Sequence, residues 1–156
     1  MTKRNEKGFS LVELLVVVII IAIVAAIAIP NLLASRRAAN EASAIASLRT
    51  IHSAQVTFFA TTGANQDYGT LVLLGGAGLI DPALAAAGNK SGYTFALSRP
   101  AATPFSVYCA TAVPQTAGST GDRSFGVSDT GVIYQGVTAA SCAAGVLTVG
   151  AGVPIQ

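Results

Sequence analysis

Between Phe9 and Ile29 the chain carries twenty-one residues, and Glu13 is the only charged one among them. As a helix rising 1.5 Å per residue, such a run spans roughly 30 Å, the thickness of a bilayer's hydrocarbon core. A helix of this length buried in a soluble protein keeps a polar face, which this run lacks. The feature therefore predicts a membrane-spanning helix. It also poses a question, because a carboxylate inside hydrocarbon costs about 3 kcal/mol on insertion scales, less where it snorkels or protonates.

The apolar fraction of 52% and the charged fraction of 10% are unusual for a soluble domain, and this segment accounts for much of the bias. The formal net charge of +2 sits in the first eight residues, where Lys3, Arg4 and Lys7 oppose Glu6. The remainder has six basic and six acidic residues and is neutral. A neutral body argues against a strong nucleic-acid site. A basic stretch followed by an apolar one resembles a secretory signal, but the helical pattern continues past the small residues Ala25, Ala26 and Ala28 where such a signal is cut. Basic residues flank the span on both sides, so the positive-inside rule does not orient it.

"KGFSLVELLVVV", Lys7 to Val18, resembles the processing site of type IV pilins and the related pseudopilins. The matching features are Lys7, Gly8 before the cut, Phe9 after it, Glu13 as the fifth mature residue, and the apolar run that follows. "IPNLLASRRAANEASA", Ile29 to Ala44, resembles the segment after the span in these pilins. The resemblance implies cleavage between Gly8 and Phe9 by a cytoplasmic-face prepilin peptidase, then methylation of the Phe9 amine, with the helix retained. It orients the leader inside and the body outside. It also gives Glu13 a role. When subunits leave the bilayer and pack helix on helix, the Glu13 carboxylate pairs with the Phe9 amine of a neighbour, and a paired charge is tolerated where an unpaired one is not. The alternative is an interfacial glutamate that snorkels.

The expected fold is α+β: a long N-terminal helix packed on a small antiparallel sheet. The expected organisation is a cleaved leader over 1–8, a transmembrane and filament-core helix over 9–29, and an amphipathic helical half over 30–60. A connection follows over 61–92, and the sheet with a disulfide-bounded C-terminal region occupies 93–156. Pro30 marks the expected helix break, a bend or loosening in one helix from about Phe9 to Phe59. Ile45, Leu48, Val56 and Phe59, with His52 between them, form the face expected to meet the sheet. Ser43, Ala46, Ser47, Thr50, Ser53, Ala54 and Thr57 form the opposite face. It either approaches other helices closely or is simply solvated. Arg37 and Glu41, four apart, form a possible helix pair. His52 has no ligand-type residue at metal spacing and reads as a packing or surface histidine.

In the body, Asp81 and Pro82 open a short helix running to Ala87. "GYTFALS" and "PFSVYCATAV" read as strands, and Arg123 to Gln135 as a hairpin turning at "SDTG". Cys109 and Cys142 form an even pair in a body outside the cytoplasm, which favours one disulfide over two free buried thiols. That bridge resembles the C-terminal disulfide loop of many type IV pilins. Asp122, Asp129 and Gly131 fit turn chemistry better than a calcium loop. No phosphate-binding loop, catalytic triad or zinc spacing occurs, and no cofactor or enzymatic activity is expected.

The expected function is structural: a subunit, the major one, of a type IV pilus. The expected partners are copies of itself, the prepilin peptidase, the assembly machinery, and the membrane before assembly. The expected location is the bacterial inner membrane as a single-pass precursor, then an extracellular filament. The alternatives are a pseudopilin of type II secretion, or a minor pilin acting as adhesin or DNA receptor.

Overall fold

The computed structural model describes residues 8–64, 66–101, 104–136, 140–148 and 152–155. The leader residues 1–7, including Lys7, lie outside them. The chain divides after Ser35 into two units, taken here in turn.

Helix α1 (Leu11–Ala60) opens in the first unit, and from Leu11 to Ser35 no side chain is buried. The helix continues through Pro30, as one helix in keeping with the span expected from about Phe9 to Phe59. Proline forfeits one hydrogen bond and crowds the preceding turn. The helix formers on both sides carry the helix across that single defect.

In the second unit, the rest of α1 is followed by α2 (Leu71–Gly76) and α3 (Pro82–Ala87). Thr70 caps α2 through its hydroxyl, and Asp81 caps α3, with Pro82 in its first turn as expected. Helix α2 was not anticipated within the connection, because "LVLLGG" is short and ends in two glycines. The strands are β1 (Asn89–Lys90), β2 (Tyr93–Ser98), β3 (Cys109–Pro114), β4 (Ser124–Ser128), β5 (Ile133–Gly136), β6 (Ser141–Ala143), β7 (Val146–Thr148) and β8 (Val153–Ile155).

One antiparallel sheet has the order β1-β2-β3-β4-β5-β8, and β6-β7 form a separate ribbon. The expected four strands are its centre, β2 to β5, and short edge strands extend it to six. Strand β3 starts later than expected, at Cys109. The β4–β5 hairpin pairs Val127 with Ile133. At its turn the Gly131 N–H donates to the Ser128 carbonyl, and Gly131 has φ +78°. Only glycine fits there, because a Cβ would also fall 2.8 Å from His52 Nε2.

The core lies between one face of the sheet and the C-terminal half of α1. Leu48, Ile51, Phe58, Leu74, Leu84, Tyr93, Phe125 and Val127 fill it. The buried stripe of α1 is Glu41, Ala44, Ser47, Leu48, Ile51, Ala54, Gln55 and Phe58. This corrects the expected orientation. Val56 is 52% exposed, Ile45 and Phe59 are half-buried, and Ser47 and Ala54, assigned to the outer face, are inside. Gln55 occupies the place expected for Val56. Its side-chain amide donates to the Gly69 carbonyl at 2.7 Å and accepts from the Gly69 N–H at 2.8 Å. A buried amide satisfied on both sides costs little, so the helix can turn the more apolar Val56 outward.

Candidate functional site

At the N-terminus, Gly8 and Phe9 precede the helix in no regular element. A Cβ at Gly8 would meet nothing within 4 Å, and Phe9 is 85% exposed. Among the described residues, nothing crowds Gly8 or covers Phe9. Two residues on, the chain enters α1, and Glu13 lies in its first turn. The Glu13 carboxylate accepts a hydrogen bond from the Ser10 backbone N–H at 3.0 Å. Ser10 and Glu13 thus supply the reciprocal half of a capping box, in which an acidic side chain reaches back to the residue that starts the helix. A carboxylate is also favoured at this end by the helix dipole. The glutamate does local work in a single chain, and it faces the backbone where the peptide bond to Phe9 lies one residue upstream.

Beyond Glu13 the helix presents only apolar side chains as far as Pro30, and all large ones are exposed, from Leu11 to Ile29. Among the described residues, α1 is the one helix long and apolar enough to cross a membrane. Scattered exposed leucines are ordinary, but a continuous apolar cylinder requires a partner, either lipid or protein.

In the body, the expected Arg37–Glu41 helix pair does not form. Both residues reach across to the segment before β4. Arg37 pairs with Asp122 at 3.1 Å. Glu41, 6% exposed, accepts from the backbone N–H groups of Asp122 and Arg123 at 3.0 and 3.2 Å and from Arg123 Nε at 2.9 Å. Burial pushes the Glu41 carboxyl up, but the Arg123 guanidinium and the two N–H donors outweigh it and hold it below the usual value. The Tyr93 hydroxyl donates to the Arg123 carbonyl at 2.8 Å. Burial, reinforced by the charge of Glu41, pushes this phenol up to about 12. This clamp was invisible in the sequence, since its halves are about eighty positions apart. The one available signal was Glu41 standing in register with Leu48 and Ile51.

His52 packs as expected, sharing a 2.6 Å hydrogen bond with the buried Tyr108 hydroxyl. Asp122 is engaged with Arg37, and Asp129 lies in the hairpin turn. Cys109 and Cys142 are bridged, with a Cα–Cα distance of 5.8 Å. The bridge ties the β6–β7 ribbon to β3. The ribbon crosses the sheet at Gly126, where a Cβ would fall 2.5 Å from the Leu147 side chain. Asn89-Lys90-Ser91, an Asn-x-Ser glycosylation pattern, lies on the edge strand β1 and the turn that follows it.

A Gly-Phe bond ahead of the helix, a glutamate in its first turn, and an apolar stretch with no buried side chain stand together at this end of the chain. A family model described as the prokaryotic N-terminal methylation motif matches residues 3–29. The chain is 63% identical over 38 residues to the type IV wide pilus major component PilA4 of Thermus thermophilus, covering 24% of this chain and 29% of that protein. It is 39% identical over 64 residues to the type IV major pilin protein PilA of Myxococcus xanthus, covering 41% of this chain and 29% of that protein. The match therefore spans less than a third of the length of either relative. No solved structure matches the chain significantly. The motif and the two relatives support a type IV pilin.

Proposed function

We propose that this chain is a structural subunit, the major one, of a type IV pilus. The observation that carries the reading is the unburied apolar helix from Leu11 to Ile29 with one carboxylate in its first turn, directly behind the Gly8–Phe9 bond. The precursor sits in the bacterial inner membrane through this helix. A prepilin peptidase cuts after Gly8, and the new Phe9 amine is methylated. The pilus assembly machinery then moves the helix from lipid into a bundle of identical helices, and the filament reaches the cell surface. The role is structural rather than catalytic.

Glu13 acts at the transfer. In the single chain its carboxylate is occupied by the Ser10 N–H, near the water interface. In a dry bundle, the cationic amine of a neighbouring Phe9 is the stronger partner, because it adds the attraction of a full opposite charge at low dielectric, which a backbone N–H lacks. An apolar cylinder alone slides against its neighbours without preference. One obligatory ion pair fixes the axial register, since a mismatch strands two charges in low dielectric.

Pro30 enters here as well. The bond it lacks makes its neighbourhood the cheapest part of α1 to unwind when helices crowd together.

The test is mass spectrometry of the main band of sheared surface filaments. The expected N-terminus is Phe9 with a methylated amine. A terminus near Ala28, an intact leader, or filaments lacking this chain would overturn the proposal.

A further inference from the structure

Opposite its buried stripe, the C-terminal half of α1 keeps an outward strip. Ala42, Ala46, Arg49, Ser53, Val56 and Ala60 recur along it at steps of three and four residues, and all are exposed. The strip is smooth, and the hydroxyls of Thr50 and Thr57 at its margin donate to the Ala46 and Ser53 carbonyls of the same helix, both at 3.0 Å. Arg49 is the only charge on it.

Most other charges of the body are answered within the subunit. Arg37 pairs with Asp122, Lys90 with Asp81, and Arg123 with Glu41. The Asp67 carboxylate accepts from the Phe105 N–H at 2.7 Å, and the Arg99 guanidinium lies 4.1 Å over the Phe105 ring. Among the described residues, the side-chain charges of the body left without such a partner are Arg36 and Arg49 on α1 and Asp129 in the β4–β5 turn. All three are exposed, and Asp129 is the only carboxylate of the three.

The next step rests on the filament reading above: we propose that Arg49 of one subunit pairs with Asp129 of a neighbouring copy, and that this pair fixes how adjacent bodies dock. A copy that approaches the strip strips water from Arg49, and a cation desolvated without a counter-charge is strongly destabilising. Asp129 answers it from an exposed turn, where a second copy can reach it without disturbing an existing ion pair. The two charges lie on different elements, so each copy offers its cation to one neighbour and its anion to another. That is the heterologous contact an open helical filament repeats. Arg36 is the poorer match for Asp129, because it stands off the strip, whose seven-residue steps pass through Val56, Arg49 and Ala42.

The test reads sheared filaments against the membrane pool by immunoblot. Arg49→Glu and Asp129→Arg are each expected to lower filament yield by about tenfold or more, since each sets like charges against each other. Both exchanges in one chain are expected to restore most of the yield, which also shows that neither substitution prevents folding. Arg49→Gln and Asp129→Asn remove a charge without adding repulsion and should lose less. Asp129→Arg combined with Arg36→Glu should restore nothing. Contact itself is read in Arg49→Lys filaments treated with a carbodiimide, which condenses an amine with a touching carboxylate. Covalent multimers joined between position 49 and Asp129 are expected on denaturing gels and in peptide mass spectra, and adding Asp129→Asn should abolish them. The pair is overturned, with the subunit reading left standing, if the parental chain forms filaments but the double exchange does not restore them. It is likewise overturned if Asp129→Arg rescues Arg36→Glu instead, or if the multimers do not require Asp129. If the parental chain forms no filaments, the subunit reading falls and the pair falls with it.

Discussion

The first twenty-five residues of α1 and the last twenty-five obey the same backbone geometry and live in opposite surroundings. From Leu11 to Ser35 the helix is overwhelmingly apolar, and none of its side chains is buried within the chain. From Arg36 to Ala60 it is far more polar, yet it buries eight residues, including the charged Glu41 and the amide of Gln55. Hydrophobicity therefore does not predict burial here. What decides is whether another element of the same chain lies opposite. The apolar half buries none of its side chains among the described residues, and in the proposed function lipid and then other copies cover it. The polar half has a sheet and a loop opposite it, and its buried polar groups are all answered. Among the described residues no buried side-chain nitrogen or oxygen lacks a partner.

The sharpest way to break this contrast is at Glu13. Glu13→Gln keeps the shape and hydrogen-bonding capacity of the side chain and removes its charge. Membrane-pool abundance should hold, since a neutral residue inserts at least as well. Filament yield should fall to near zero, because the Phe9 amine is left without its counter-charge in a dry bundle. Leader cleavage should survive, as the cut bond lies upstream. Immunoblots of membrane and sheared fractions measure both pools, and parental filament yield from the variant would remove the charge from the assembly mechanism.

A smaller effect separates the halves by stability alone. Ile51 is fully buried, whereas Ile21 is 60% exposed. Ile51→Ala should destabilise the body by about 2–4 kcal/mol, and Ile21→Ala should leave body unfolding unchanged. Urea denaturation of the full chain in detergent, followed by tyrosine fluorescence, makes the comparison. Equal shifts from both substitutions would mean that the apolar half supports the body, contrary to the contrast drawn above.

The smallest effect concerns the clamp. Glu41 has a lowered carboxyl pKa, so its stabilisation is complete above the unfolded value of 4.5 and is lost as pH falls below it. Body stability should therefore decline on acidification below about pH 4.5. Glu41→Gln should cost about 1–2 kcal/mol at neutral pH and flatten that decline. The figure is modest because half of the Arg123 side chain is in water, where screening weakens the pair. Identical acid profiles for parent and variant would assign the decline to other carboxylates.

Local chemistry made a large part of this protein legible without a structure. The apolar span needs only a count of residues and a bilayer thickness. The Gly8-Phe9-Glu13 spacing is a linear motif, complete within six positions and matched as such by the N-terminal methylation motif. Asp81 before Pro82, and Asp129 ahead of Gly131, are turn and cap chemistry complete within a few positions, and both stand where they were expected. The pairing of Cys109 with Cys142 followed from there being only two cysteines.

Where an outcome depended on what a residue meets across the fold, the sequence was mute or misleading. Val56 is more apolar than Gln55, so a helical wheel turns Val56 inward. Gln55, bonded to the Gly69 backbone on both sides, is buried in its place, because an amide so satisfied costs little to bury. Arg37 and Glu41 stand at ideal helix spacing, yet each finds a partner on the segment before β4. There the backbone N–H groups and a guanidinium offer Glu41 four hydrogen bonds, where a helix neighbour offers an exposed pair. Sequence settles what a short stretch does by itself; tertiary structure settles which of several physically acceptable partners a side chain takes, because that choice depends on groups brought together only once the chain is folded.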